Sequence, residues 1–403
     1  MSAEDLRREV SRPWRPRYST FPVKCATMPL VVDVRFAANL APSACLHMVN
    51  SQHFPPFQTH PLVRGGHVQT LAAVYLPGPR YAYNAVQHRV TMDDGDVVVL
   101  HDDCPPGWQP TDRIVLLMHG LSGSYQSNYM QRIAGKLHER NVRSFRMDLR
   151  GCGAGVGLAK MPYHSGRSED VATALRAIAQ LAPGAPVTIV GFSLSGNVAL
   201  KLLGELGTDR CEGLDSAVAV CPPLDLAACS HNLHRLSNKV YDKHFLSCLM
   251  KDVMARERAL PVDERTQLSR KPKRLFDFDD VYTAPVSGFG SADNYYRTCS
   301  SAQFVPGIRL PTLVIAANND PMIPHRQLLA VDWPECADVH ITHGGGHLGF
   351  IGRPGVDPDC RWMDWRVIEW VQALPTATAV HGHVVSAPAH LRHTARSATS
   401  IGQ

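Results

Sequence analysis

The chain is predicted to be an α/β protein: a mostly parallel central sheet flanked by helices, with one inserted, mostly helical segment. Three observations predict it. Apolar strand-like runs alternate with stretches of helical period between residues 113 and 221, and apolar runs return after 311. Residues 222–310 lose that alternation while staying rich in Leu, Tyr and Phe. The run Val187-Thr188-Ile189-Val190 passes through Gly191-Phe192-Ser193-Leu194-Ser195-Gly196 into a helical pattern. That is the context of a sharp strand-to-helix turn that lifts a serine hydroxyl above a sheet edge.

In chain order, Ala85–Thr91 and Asp96–His101 flank Asp93-Asp94-Gly95 and read as an opening hairpin. Arg113–Met118 is a buried-strand run that ends in His119-Gly120-Leu121-Ser122-Gly123. Met130, Ile133, Ala134 and Leu137 recur at helical spacing, and Val142–Met147 is the next strand, closed by Asp148 and a glycine-rich loop. Val171, Ala174, Leu175, Ile178 and Leu181 mark a further helix. Ser168 is its expected N-cap, and Glu169 and Asp170 lie in its first turn, where the helix dipole favours acids. After the elbow strand comes a helix through Val198, Leu202, Leu203 and Leu206, then the short runs Ala217–Cys221, Thr312–Ala317 and Val339–Thr342. Strands alternating with helices imply a largely parallel sheet covered on both faces.

The segment 222–310 is too long and too apolar for a loop in a compact domain and is expected to be a helical cap over the elbow. The expected organisation is therefore a poorly ordered arm (1–54), a core in two parts (55–221 and 311–374) around the cap (222–310), and a flexible tail (375–403). Arg7, Arg8, Arg12, Pro13, Arg15 and Pro16 with no apolar run behind them do not read as a signal peptide. Asp33 and Arg35 interrupt the apolar stretch 28–48, so no membrane anchor is expected.

Of 403 residues, 44% are hydrophobic, enough for a sizeable core, and the net charge of +5 is spread over both halves. No nucleic-acid partner is expected; the short basic run Arg270-Lys271-Pro272-Lys273-Arg274 is followed by Asp277, Asp279 and Asp280 and reads as a solvated loop. Eleven cysteines lie far apart, with no C-x-x-C pair and no Cys/His ligand spacing. This predicts a reduced, cytoplasmic protein without a disulfide framework or metal site.

A serine hydroxyl is a weak nucleophile and needs a base in hydrogen-bond reach, itself oriented by a third group. Candidates follow Ser193 in the order serine, acid, histidine: Asp320, just past the run Thr312–Ala317, and His347, within Gly344-Gly345-Gly346-His347-Leu348-Gly349-Phe350. Asp332 and His343 are the rivals. The oxyanion of an acyl-transfer intermediate would be held by the backbone N–H groups of Leu194, next to the nucleophile, and Leu121, after the first buried strand. His119 is expected to shape that loop rather than carry protons. One residue departs from the G-x-S-x-G pattern, since Ser195 stands where glycine is expected.

In combination, His119-Gly120-Leu121-Ser122-Gly123-Ser124, Asp148-Leu149-Arg150-Gly151-Cys152-Gly153, Tyr163-His164-Ser165-Gly166, the Ser193 elbow, Asn319-Asp320-Pro321 and Gly345-Gly346-His347-Leu348-Gly349-Phe350 resemble the YheT-like branch of the α/β-hydrolase superfamily. Gly66-His67-Val68-Gln69-Thr70, Tyr282-Thr283-Ala284-Pro285, Gly288-Phe289 and Tyr295-Tyr296 fit the same resemblance, which covers roughly residues 55 to 372. It implies an α/β-hydrolase fold and a Ser193–His347–Asp320 serine esterase. The implied substrate is a small-molecule carboxylic ester, lipid-like esters included. Short or medium acyl chains are expected from the apolar cap, and no metal or organic cofactor is required.

Other features have plainer readings. Gly151, Gly153, Gly155 and Gly157 do not keep the G-x-G-x-x-G spacing of a dinucleotide site. His67 and His164 show no ligand spacing with His119, and Cys152 has no base motif beside it. Acyl transfer to an alcohol or thiol would use the same acyl-enzyme as hydrolysis and is the alternative activity. A non-catalytic binding protein on a hydrolase fold would be expected to have lost one of the three residues, and all are present.

Overall fold

The strands form one eight-stranded sheet in the order β1-β2-β4-β3-β5-β6-β7-β8: β1 Val86–Thr91, β2 Val97–Asp103, β3 Ile114–Met118, β4 Arg143–Asp148, β5 Val187–Phe192, β6 Leu214–Val220, β7 Thr312–Ala317 and β8 Ala337–Thr342. A computed structural model describes residues 54–375, apart from 77, 80 and 267. Except for Phe54 and Pro375, the expected arm and tail lie outside the described residues. The opening hairpin forms, β1 with β2 antiparallel, and β2 is antiparallel to β4. All later pairings are parallel, and the short helix α10 (Arg326–Leu329) lies between β7 and β8 in the chain.

Side-chain alternation along β3 divides the core into two layers. Ile114, Leu116 and Met118 face one cluster, with Val171, Leu175 and Ile178 of α3 (Ser168–Leu181) and Val198 and Leu202 of α4 (Leu194–Leu206). Val115 and Leu117 face the other, with Ile133 and Leu137 of α2 (Asn128–His138) and Trp365 and Ile368 of α11 (Trp362–Ala373). Every residue of β3, β5 and β7 is buried, as a strand covered on both faces requires.

Ser168 is the first residue of α3 rather than its cap. Its hydroxyl is drawn away to α4, where it donates to Glu205 and accepts from Lys201 Nζ. Two helices escape the hydrophobic pattern. In α1 (Gly66–Tyr75) the buried residues are polar, Gln69 and Thr70, while Val68, Leu71 and Val74 are exposed. Gln69 is fully buried because its amide replaces secondary structure, donating to Val63 O and Ile351 O and accepting from Ile351 N–H. In α11 the fully buried Asp364 accepts from Arg132 at 2.8 and 3.1 Å and from Lys136 at 3.1 Å, both on α2. Arg132 and Lys136 are four apart, so one turn of α2 presents both to the same carboxylate.

Between β6 and β7 the chain is helical. It comprises α5 (Leu226–Leu233), the long α6 (Lys239–Ala259), then α7 (Leu275–Phe278), which continues through a π-helical turn (Asp279–Thr283) into α8 (Ala284–Val286), and α9 (Ala292–Cys299). Asp225 caps α5 by accepting from Ala228 N–H, and Ser291 caps α9 by accepting from Asn294 N–H. These helices bury an apolar cluster of Leu249, Val253, Phe278, Val281 and Tyr282. In the basic run, Arg270 pairs with Asp277 and Asp280, and Arg274 with Asp277. Among the described residues no helix is long and apolar enough to cross a membrane.

Breaking a buried ion pair from one side leaves an uncompensated charge. Asp364→Ala is therefore expected to cost about 3–5 kcal/mol in equilibrium denaturation. A loss under about 1 kcal/mol would mean that the Arg132–Asp364–Lys136 cluster does not hold α2 to α11.

Candidate active site

Ser193 stands between β5 and α4 with φ 52° and ψ −117°, a conformation that residues with a Cβ rarely adopt. Its N–H donates to Val220 O on the neighbouring strand at 2.8 Å. A Cβ at Gly191 would overlap the Ser195 carbonyl oxygen, so glycine is required there. Ser195 is tolerated because its fully buried hydroxyl donates to His119 O. The elbow closes with a serine in the expected glycine position, and the Ser195 hydroxyl has its acceptor.

Asp320 lies in the turn after β7. Its Oδ1 accepts from the N–H groups of Met322 and Ile323 at 2.8 and 2.9 Å, and its Oδ2 faces His347 Nδ1 at 2.7 Å. His347 lies in the loop after β8, with Nε2 2.9 Å from Ser193 Oγ. The carboxylate can only accept, so Nδ1 carries the imidazole proton and Nε2 is left to accept from the serine hydroxyl. The structure thus brings Ser193, Asp320 and His347 into one chain of hydrogen bonds, whereas His343 is turned to Asn318 at the surface.

The loop before the histidine needs its glycines. Gly344, Gly345 and Gly346 have φ of 104°, 119° and 62°, and a Cβ on Gly346 would overlap Gly66 O. Thr70 of α1 completes the seat, its Oγ1 accepting from His347 N–H at 2.8 Å. No pattern in the sequence marks this contact, because a lone threonine on a helix that buries polar residues carries no spacing signal.

Leu194 provides the first N–H of α4, which has no acceptor within its helix. The Leu121 N–H has no hydrogen-bond partner among the described residues, while Gly120 N–H beside it donates to Tyr129 Oη at 2.9 Å. Gly120 lies against Ser193, for a Cβ there would stand 3.2 Å from the serine Cβ. His119 is held on both sides, Nδ1 donating to Gly120 O and Nε2 accepting from Leu149 N–H, and burial lowers its pKa.

Ser193, Leu194, Leu121 and His347 open into one cavity with about 1070 Å³ of empty space, its mouth included. Leu226, Leu233, Leu249, Phe278, Met322 and Ile323 make much of its wall apolar. Asp279, within the π-helical turn, also lines it. Its carboxyl accepts from Tyr296 Oη at 2.6 Å and Thr283 Oγ1 at 2.7 Å, and burial raises its pKa to about 6. Nothing in the sequence pattern distinguishes Asp279 from its acidic neighbours.

Of the remaining histidines, His164 accepts from Gly166 N–H and packs edge-on against Phe289, and His67 stacks on Tyr241. Burial raises the Cys152 thiol well above its ordinary pKa. Cys221, Asp320 and His347 are the one group of possible metal ligands found among the described residues. Its His347 Nδ1 and Asp320 Oδ2 face each other, so an ion would have to displace that hydrogen bond. The cysteines at 104, 152, 211, 221, 229, 248, 299, 336 and 360 are all free thiols.

The profile of the alpha/beta hydrolase family matches residues 114–357. Over 287 residues the chain is 32% identical to YheT of Escherichia coli (strain K12), named as an esterase, covering 70% of this chain and 83% of that protein. It is 27% identical to phospholipase ABHD3 of Mus musculus over 277 residues, 68% of this chain and 65% of that one. The structure of the Pyrococcus furiosus esterase Pf2001 aligns with 74% of this chain and 99% of its own, at 16% identity and a TM-score of 0.47.

Asp279 generates a pH prediction. An acid whose folded pKa is raised binds its proton more tightly when folded, so its contribution to stability falls as pH rises from about 4 to about 6. The stability of Asp279→Asn relative to the wild type should therefore rise by about 3 kcal/mol across that interval and then level off, measured by denaturation at each pH. A difference that stays flat from pH 4 to 7 would contradict a buried, raised carboxyl.

Proposed function

The chain belongs to the alpha/beta hydrolase family, in its YheT-like branch, and we propose that it hydrolyses carboxylic esters with Ser193 as the nucleophile. The observation that carries this reading is the pair of hydrogen bonds Ser193 Oγ–His347 Nε2 and His347 Nδ1–Asp320 Oδ2, at 2.9 and 2.7 Å. A binding protein has no use for a strained serine held against an oriented imidazole. The esterase and lipase names of relatives support the same reaction class.

His347 takes the Ser193 proton as Oγ attacks the ester carbonyl carbon, and Asp320 stabilises the imidazolium that forms. The oxyanion is held by the N–H groups of Leu121 and Leu194, both free of acceptors at the cavity floor. His347 then gives its proton to the leaving alcohol, and the acyl group stays on Ser193. In the second half His347 deprotonates a water that attacks the acyl-enzyme, releasing the acid and restoring Ser193. This chemistry needs no group beyond these side chains and backbone amides.

The stretch 222–310 supplies much of the cavity wall, which supports reading it as a cap between the core parts 55–221 and 311–374. Its leucines and phenylalanines favour an uncharged acyl chain, and we assign short or medium chains to the site.

A chain-length series of p-nitrophenyl esters tests this reading. The wild type should be active with an optimum at short or medium length, and Ser193→Ala and His347→Ala should each lose at least about 10³-fold in kcat. Ser193→Ala with near-wild-type turnover would remove Ser193 as the nucleophile.

A further inference from the structure

The loop that carries the Leu121 N–H is gripped from outside itself. Ser122 has φ 51°, in the left-handed region that a residue with a Cβ enters at a cost. Two contacts hold it there. Its N–H donates to Tyr163 Oη at 2.9 Å, and its Oγ–H donates to Asp252 Oδ2 at 3.0 Å. Asp252 is in the second half of α6, 130 residues away in sequence. Ser122 is its hydrogen-bond partner, and no cation pairs with it among the described residues. Burial raises its pKa.

A second observation points the same way. The Leu121 side chain packs against the cluster that contains Leu249 and Val253 of α6 with Phe278 and Tyr282. Leu249, Asp252 and Val253 are spaced three and four apart, on one face of the helix. One face of α6 thus contributes both to the apolar cluster that receives Leu121 and to the hydrogen bond at Ser122.

We propose that α6 sets the oxyanion hole, with Asp252 as a positioning residue that holds the Leu121 N–H in place through Ser122. The inference rests on the ester-hydrolase reading of the Ser193 site and adds to it a coupling between cap and catalytic machinery. The cap then does more than wall the cavity. A donor must lie about 2.7–3.1 Å from the oxyanion to stabilise it, and on this proposal the grip on Ser122 at φ 51° is what keeps the Leu121 N–H within that range. A cap seated on its loop makes a competent site; an unseated cap leaves Ser193 and His347 in place without the Leu121 N–H.

The test is steady-state kinetics on one p-nitrophenyl ester with Asp252→Ala, Asp252→Asn, Ser122→Ala, Ser122→Gly and the double alanine variant, beside the wild type and Ser193→Ala. Asp252→Ala and Ser122→Ala should each lower kcat about 10–100-fold, with KM within about threefold. The double variant should be no worse than the weaker single, because both remove one contact. Asp252→Asn keeps an acceptor for the Ser122 hydroxyl and should restore most of kcat. Ser122→Gly, which takes a positive φ freely, should lose less than Ser122→Ala.

A contact that only docked the cap would instead lower melting temperature or raise KM while leaving kcat alone. That result, or fully additive losses, overturns the proposal. Should Asp252→Ala not fold, the Ser122 pair and Asp252→Asn still decide it. An inactive Ser193→Ala beside an Asp252→Ala of wild-type kcat fails this inference alone, whereas an active Ser193→Ala fails the reading beneath it.

Discussion

The backbone of Ser193, at φ 52° and ψ −117°, is the constraint on which the rest of this molecule turns. Such a conformation costs on the order of 1–3 kcal/mol and persists only where the surroundings over-determine it. Here they do. β5 delivers the serine from a fully buried strand, Val220 O takes its N–H, and α4 begins at the next residue. Gly191 and Gly120 leave no atoms where the turn must pass. The return is an Oγ that projects into the cavity beside His347, with the Leu194 N–H already pointing from a helix start.

The same logic extends outward. His347 is reached by a loop of three left-handed glycines and steadied by Thr70 from a helix that buries polar residues and exposes apolar ones. Asp320 is oriented by two backbone N–H groups before it meets the imidazole. Each member of the Ser193–His347–Asp320 chain is thus held by something other than its neighbour in that chain, which is what preorganisation for the proposed reaction requires. The helical segment 222–310 is tied to the same region by the Ser122–Asp252 hydrogen bond and by the packing of Leu121.

How far the residues alone reveal this depends on whether the packing obeys a period. β3, β5 and β7 are buried throughout and mostly apolar because helices cover both faces, so they stand out as runs. Ser193 and Asp320 are visible because each follows such a run, and His347 because it stands among glycines after the short run Val339–Thr342. α1 and α11 are hidden for the opposite reason: Gln69, Thr70 and Asp364 face inward, satisfied by partners far away in sequence. Thr70, Asp252 and Asp279 belong to this class, since long-range hydrogen bonds leave no local pattern. Ser195 shows the limit of motif matching, because whether a serine fits there is decided by His119 O, a carbonyl 76 positions earlier.

The measurement that bears most directly on this account is covalent labelling with a fluorophosphonate, with the modified residue located by peptide mass spectrometry. The activated hydroxyl should be that of Ser193, giving a single adduct on the peptide that contains it and none in a His347→Ala variant. Labelling at another serine, or equal labelling without His347, would contradict the claim that the elbow and its imidazole form the reactive centre.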